Sequence, residues 1–262
     1  MDRLVPVGRT FFALAVTGLA IEHFIFREFI TGRAPPWPEA VAGGRVWAYA
    51  TGIVLVVIGL AILTGRRARP AAILAGALIF AWAFLRQLPI IVEDSLLGGV
   101  WTTTGKALVL SSGMLAMAAV SVDGEARRAG LLERPMKARP ALLATARYSL
   151  GLFLLVTGIQ HFLFTTFVAS LIPAWFPGDP VRWTYFAGVA LISGGVGLLI
   201  PFTARLAALL SGLMVFSWFW IVHLPRTLVG VSDSIAVFEA LAVSGLALVL
   251  AGARSVRSTT GV

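Results

Sequence analysis

The 262-residue sequence contains no cysteine. Without thiols the chain can neither form a disulfide bond nor carry out thiol–disulfide exchange. It also lacks the thiolate ligands of iron–sulfur clusters and the attachment points of covalent haem. We therefore expect neither of these two cofactors, and any redox chemistry must use another group or a partner protein.

Charged residues are scarce as well. They make up 13% of the chain, whereas hydrophobic residues make up 58% and the mean hydropathy is +0.91. A soluble domain of this length could not hide so much apolar surface. The composition predicts an all-α integral membrane protein surrounded by a lipid bilayer.

The apolar residues are grouped into eight segments, each close to the roughly 20 residues that a helix needs to cross the hydrocarbon core. These segments are Thr10–Ile30, Val46–Leu63, Pro70–Leu88, Thr104–Val120, Leu142–Phe167, Trp183–Ile200, Leu206–Leu224 and Ser234–Ala253. The sequence therefore predicts eight transmembrane helices.

The two halves of the chain repeat one another. The motif Glu22-His23-Phe24-Ile25-Phe26 returns as Gln160-His161-Phe162-Leu163-Phe164. Further matches share one constant offset: Trp47-Ala48-Tyr49 with Trp183-Thr184-Tyr185, Ala68-Arg69 with Ala204-Arg205, and Gln87-Leu88-Pro89 with His223-Leu224-Pro225. An offset that stays constant from the first of these matches to the last indicates a duplicated unit. We predict four-helix membrane repeats at residues 1–120 and 141–262, joined by a cytoplasmic linker at 121–140.

The basic residues predict the orientation. Because each repeat has an even number of spans, the two repeats enter the membrane from the same side as parallel repeats. With a cytoplasmic N-terminus, 14 of the 21 Lys and Arg residues fall on the inside. This distribution places both termini in the cytoplasm. The net charge of +9 then reflects topology and attraction to anionic lipid, and no nucleic-acid partner is expected.

The three histidines lie near the outer ends of predicted helices. Ionisable groups inside a membrane are costly unless they face a cavity or a partner, so His161, His223 and His23 are candidate catalytic residues. Candidate substrate-binding residues are Glu22, Gln160 and Gln87 at similar depth, the deeper Trp218 and Trp220, and the charged Lys106 and Glu239. The alternative is that these side chains lie at the headgroup boundary and bond to loops. No metal site is predicted, because no two histidines share a helix at ligand spacing.

Lys106 and Glu239 occupy corresponding positions early in the fourth and eighth segments. An unpaired buried charge is expensive. We expect the two residues either to meet between the repeats or to pair separately with other outer polar groups; Lys106 could also extend to the interface. A pocket between His161, Trp218, Trp220 and His223, with a polar mouth and an aromatic floor, would suit a quinone ring. A packing role is the alternative for the two tryptophans.

Small residues recur at matching places in the second and sixth segments. Gly52 and Gly59 lie in the second segment, and Gly188, Gly194, Gly195 and Gly197 lie in the sixth. Small residues let the backbones of membrane helices approach closely. This pattern predicts tight helix contacts in both repeats.

The second repeat resembles the DoxX/DoxD-like family of small bacterial and archaeal membrane proteins. The motifs that carry the resemblance are Gly158-Ile159-Gln160-His161-Phe162, the loop from Ile172-Pro173 to Pro177, and Gly197–Pro201 before Thr203-Ala204-Arg205. The first repeat is similar but diverged, and the likeness covers most of the chain outside the linker and tails. It implies a multi-pass protein of the bacterial or archaeal cytoplasmic membrane. Named members are similar to the quinone-reducing part of thiosulfate:quinone oxidoreductase or take part in oxidative-stress complexes.

Two classes of function follow. The first is a redox subunit that interacts with a quinone or another isoprenoid, in which His161 and His223 exchange protons or bind carbonyl groups and a partner protein supplies electrons. In this class His23 is the counterpart from the other repeat. The second class is non-enzymatic: a carrier for a small solute between the halves, or a membrane scaffold for a partner. A carrier should need the histidines of both halves, whereas a redox site should need those of one.

Overall fold

The described part of the chain is entirely helical. A computed structural model describes residues 3–30, 41–93, 97–121, 137–229 and 234–253. These residues form helices and connecting turns without a β-strand. Seven helical stretches within them are long and apolar enough to cross a membrane. The predicted all-α, membrane-compatible character is thus confirmed.

Eleven α-helices lie in these ranges. They are α1 Leu4–Phe26, α2 Gly44–Thr64, α3 Ala68–Trp82, α4 Leu88–Glu93, α5 Gly99–Val120, α6 Arg139–Leu163, α7 Thr165–Ser170, α8 Pro180–Leu199, α9 Ala204–Trp218, α10 Leu224–Val229 and α11 Ser234–Gly252. The predicted sixth segment forms α8 but is not among the seven candidate spans. Its first turns contain Arg182 and Thr184, which lower its hydropathy.

Helix boundaries differ from the predicted segments at several places, two of them around the histidine motifs. The first helix starts at Leu4 rather than Thr10 and ends at Phe26, because Arg27 adopts a left-handed conformation with φ 59°. The fifth segment divides into α6 and α7 around Phe164. Just beyond this break, the hydroxyl of Thr165 donates to the carbonyls of the preceding turn at 3.0 Å, a side-chain bond that competes with regular helix. The predicted linker lies outside the described residues except for 121 and 137–140.

The two halves contact each other through their first and last long helices. Helix α1 packs along α11, and α6 packs along α5. Within the halves, α1 contacts α2 and α3 contacts α5, while α6 contacts α8 and α9 contacts α11. The largest fully buried side chains include Phe12, Met114 and Leu246. The hydrophobic core thus includes side chains from α1, α5 and α11.

Glycines bring helix backbones into direct contact at equivalent places in both halves. A Cβ atom on Gly195 would lie 2.7 Å from the carbonyl oxygen of Gly151, and one on Gly188 would lie 3.2 Å from that of Gly158. The corresponding contacts of α2 on α1 are those of Gly52 with Ala20 and of Gly59 with Ala13. The tight contacts predicted from the small-residue pattern are confirmed.

A π-helical turn interrupts the same helix of each half. At Phe219–His223 the N–H of Leu224 bonds to the carbonyl of Phe219, five residues earlier. The next residue is Pro225, whose nitrogen cannot donate a hydrogen bond. The first half has the same turn at Ala83–Gln87, at the offset that relates the repeated motifs. Such turns are frequent at functional sites, and these two end at the sequence-predicted residues Gln87 and His223.

Candidate functional site

A cavity of about 650 Å³ lies where α6 ends and α5, α8 and α11 begin. Its walls come from these four helices, from α7 and the turn after it, and from α9 with its π turn. Most of the lining side chains are aromatic or aliphatic. Because α5 precedes residue 121 and the other walls follow it, the cavity is built from both halves of the chain.

An ion pair lies in the cavity wall. The Lys106 Nζ atom is 2.5 Å from Glu239 Oε2, and the two side chains are 33% and 20% exposed. Of the two arrangements considered from the sequence, direct pairing is the one found. The pair neutralises itself, yet its ammonium keeps further N–H donors and its carboxylate keeps acceptor sites. A ligand could therefore form hydrogen bonds here without meeting a net charge.

His161 supplies a second polar group. Its Nδ1 atom is 2.7 Å from the carbonyl oxygen of Thr157, one turn earlier on α6. A carbonyl can only accept, so Nδ1 carries the hydrogen, and in the neutral ring Nε2 is an acceptor. The imidazole lies beside the indole of Trp218, with ring centroids 6.2 Å apart and planes inclined by 28°. Both rings line the cavity.

The remaining polar residues of the wall differ in what they can offer. His223 ends the π turn and lines the cavity. The hydroxyls of Thr157 and Ser217 donate to carbonyls of their own helices at 2.9 Å and 2.7 Å. These two hydroxyls already use their hydrogens within their own helices, so neither has a donor left for a ligand.

Gln160 joins α6 to the start of α5. Its side-chain nitrogen donates to the carbonyl of Leu97 at 2.6 Å, and its side-chain oxygen accepts from the hydroxyl of Thr102 at 2.7 Å. Leu97 has a positive φ of 53°, a costly conformation for a residue with a side chain. The amide of Gln160 is thus engaged on both sides, and it positions the α5 wall of the cavity.

The structure places the other sequence-predicted residues outside the cavity lining. Glu22 and His23 are each 2% exposed and Gln87 is fully buried. The Nδ1 atom of His23 bonds to the carbonyl of Leu19, one turn earlier, at 2.8 Å. This is the same bond that His161 makes to the carbonyl of Thr157. Trp220 is 56% exposed and is absent from the cavity wall. Of the sequence-predicted residues, those that line this cavity are His161, His223, Gln160, Trp218, Lys106 and Glu239.

Sequence reasoning missed the cap of the cavity. Phe164, Phe167, Val168 and Leu171 all line it from α7 and its flanks. Their spacing of three, four and seven positions is that of one apolar helix face, a signal hidden when the fifth segment was extended to Phe167. The turn after α7 is held by the indole N–H of Trp183, which donates to a backbone carbonyl at 2.8 Å.

A family described as a domain of unknown function (DUF8561) matches residues 150–249. This stretch runs from α6 into α11 and contains the cavity walls of the second half. No curated protein and no protein of known structure matches the chain.

Proposed function

We propose that this chain is a multi-pass membrane protein whose cavity binds a small ligand with an apolar body and a polar head, of the quinone or isoprenoid type. In this proposal α8 crosses the membrane as an eighth span. The eight spans then form two parallel four-helix repeats. Support comes from the glycine contacts and the π turns, each found at equivalent positions of the two halves.

The proposed orientation follows from charge. Both termini face the cytoplasm of a bacterial or archaeal cell, since the basic residues concentrate on that side. The cavity lies at the end of α6 that is far from Arg139. It therefore opens near the outer face of the cytoplasmic membrane.

One observation carries the proposal: a largely apolar cavity has the Lys106–Glu239 ion pair and the imidazole of His161 in its wall. Its volume of about 650 Å³ is within the range of roughly 300–1,000 Å³ typical of small-molecule sites. A quinone fits these residues chemically, because its carbonyls can accept from the Lys106 ammonium. The hydroxyls of its reduced form can donate to Nε2 of His161. An isoprenoid tail would lie along the aliphatic wall.

In the redox form of this proposal the electrons come from a partner protein. The chain has no cysteine for iron–sulfur ligation, so a cluster of that kind is not expected to supply the electrons. In this proposal His161 contributes proton exchange and hydrogen bonding. The resemblance to DoxX-like proteins supports a partner of this kind, because named members are similar to the quinone-reducing part of thiosulfate:quinone oxidoreductase or take part in oxidative-stress complexes.

The position of the histidines favours this proposal over a carrier that works between the halves. His161 and His223 line one cavity, whereas His23 is buried on α1 and away from its walls. A carrier of that kind should depend on all three histidines. A ligand site in this cavity should depend on two.

The first test is mass spectrometry of an organic extract of gently purified protein. The wild type should carry a quinone or another isoprenoid at close to one molecule per chain. The variant His161→Ala/His223→Ala should lose it, and the control His23→Asn should retain it, because the asparagine amide can replace the Nδ1–H donor. If no ligand is enriched in the wild type, or if His23→Asn loses it equally, the carrier or scaffold function gains support.

A further inference from the structure

The side chain of Phe29 packs between two aromatic groups in the first half of the chain. Its ring stacks on the indole of Trp82 with centroids 4.9 Å apart and planes inclined by 21°. The same ring meets the imidazole of His23 edge-on, with centroids 6.1 Å apart. A flat six-membered ring therefore lies against both the tryptophan and the histidine.

The second half has the same tryptophan and histidine without this filling ring. Trp218 is the counterpart of Trp82, since each ends its helix directly before the equivalent π turn. His161 matches His23 and makes the same bond to the carbonyl one turn earlier. In the described ranges, the only ring stacked against Trp218 is the imidazole of His161. Trp218 also lines the cavity.

The residue that corresponds to Phe29 has moved away. Continuing the alignment of the two motifs without a gap matches Phe29 with Phe167. Phe167 lies on α7, is 65% exposed and borders the cavity without a ring contact to Trp218. Phe167 on α7 therefore does not take the position in the second half that Phe29 takes in the first.

We infer that the cavity takes a ligand with a flat aromatic or quinonoid ring, which stacks on Trp218 beside His161 as the Phe29 ring stacks on Trp82 beside His23. The inference rests on the proposed function and narrows its ligand class. Terpenoids without a planar head and acyl chains lack the π face that this position selects. In the first half Phe29 keeps the equivalent position closed, so one chain binds one such ring.

The test compares two probes on the purified full-length protein in detergent. One is a 1,4-naphthoquinone, and the other is decahydronaphthalene-1,4-dione, which has the same two carbonyls and nearly the same size but no flat ring. Equilibrium dialysis gives the dissociation constant of each. The wild type should bind the naphthoquinone more tightly, by about threefold to tenfold, as expected for one aromatic stacking contact.

Three variants assign that preference. Trp218→Leu should weaken naphthoquinone binding by about threefold to tenfold and change binding of the saturated dione by less than about twofold. Trp218→Phe retains a ring and should keep most of the preference. Trp82→Leu is the matched control in the first half and should bind both probes as the wild type does.

The outcomes separate the inference from the proposed function. The stacking position is wrong if the wild type binds both probes equally, or if Trp218→Leu weakens binding of both probes to the same extent. In that case, loss of binding of both probes in His161→Ala/His223→Ala still supports the cavity as the ligand site. If neither probe binds the wild type, both ideas fail. Should Trp218→Leu fail to fold, the wild-type preference and its retention in Trp218→Phe still decide the question.

Discussion

The ion pair between Lys106 and Glu239 should stabilise the protein as a coupled unit. Removing either side chain leaves the other charge partly buried in the cavity wall without its partner. Removing both leaves no charge behind. We therefore predict that Lys106→Ala and Glu239→Ala each destabilise the protein, whereas the double variant recovers much of the loss.

The exposure of the pair sets the magnitude. Breaking a fully buried pair costs about 3–5 kcal/mol, whereas an exposed pair contributes about 0–1 kcal/mol. With side chains that are 33% and 20% exposed, an intermediate cost of about 2 kcal/mol per single variant is expected. In a chain of this size that corresponds to roughly 4–8 °C in Tm. The coupling energy of the cycle should be about 1–2 kcal/mol.

Thermal and denaturant unfolding of the detergent-solubilised protein, followed by circular dichroism, provide the assay. Arg182→Ala is the control, because its ion pair with Asp179 is exposed, is 3.7 Å long and should contribute little. The exchanged variant Lys106→Glu/Glu239→Lys should be more stable than either of its single components. Strictly additive effects of the two alanine substitutions would show that the side chains do not stabilise each other and would refute the reasoning.

Two further substitutions test the architecture around the cavity. Gly195→Ala should lower the free energy of unfolding by about 1–3 kcal/mol, since its Cβ would meet the backbone of α6. Gly99→Ala, where nothing lies within 4 Å, is the control in the same thermal unfolding experiment. Equal stability of the two variants would contradict the close contact. Gln160→Ala removes the bond that holds the carbonyl of Leu97 and should cost about 1–3 kcal/mol. Amide exchange at residues 97–103 should then accelerate while that of α9 stays unchanged, and a uniform increase would argue against a local clamp.

Most of the helices could be predicted from the sequence, because a helix that spans a lipid bilayer needs a long run of apolar residues, which is visible in the sequence. It also indicated the glycine contacts, since a stripe of small residues recurs in the second and sixth segments. The breaks were harder to predict. α6 ends where Phe164 leaves the helical conformation, with φ −120° and ψ 39°, and apolar residues continue across this point without change.

The candidate site was predictable only in part. Lys106 and Glu239 stood out because their charges oppose each other at matching positions, and His161 stood out within its motif. The burial of His23 was not visible, because it depends on which way Phe29 turns after α1 ends. Trp220 shares its neighbourhood in sequence with Trp218, but the two side chains project from the helix in different directions, and only Trp218 lines the cavity.

The opposite charges of Lys106 and Glu239 determine which half can associate with which. Two copies of residues 1–120 joined in the same way would bring two ammonium groups together, and two copies of the second half would bring together two carboxylates. Either homodimer would have like charges a few ångströms apart in the wall of the cavity. The opposite charges at this one pair of positions therefore favour contact of the first half with the second over contact of either half with a copy of itself.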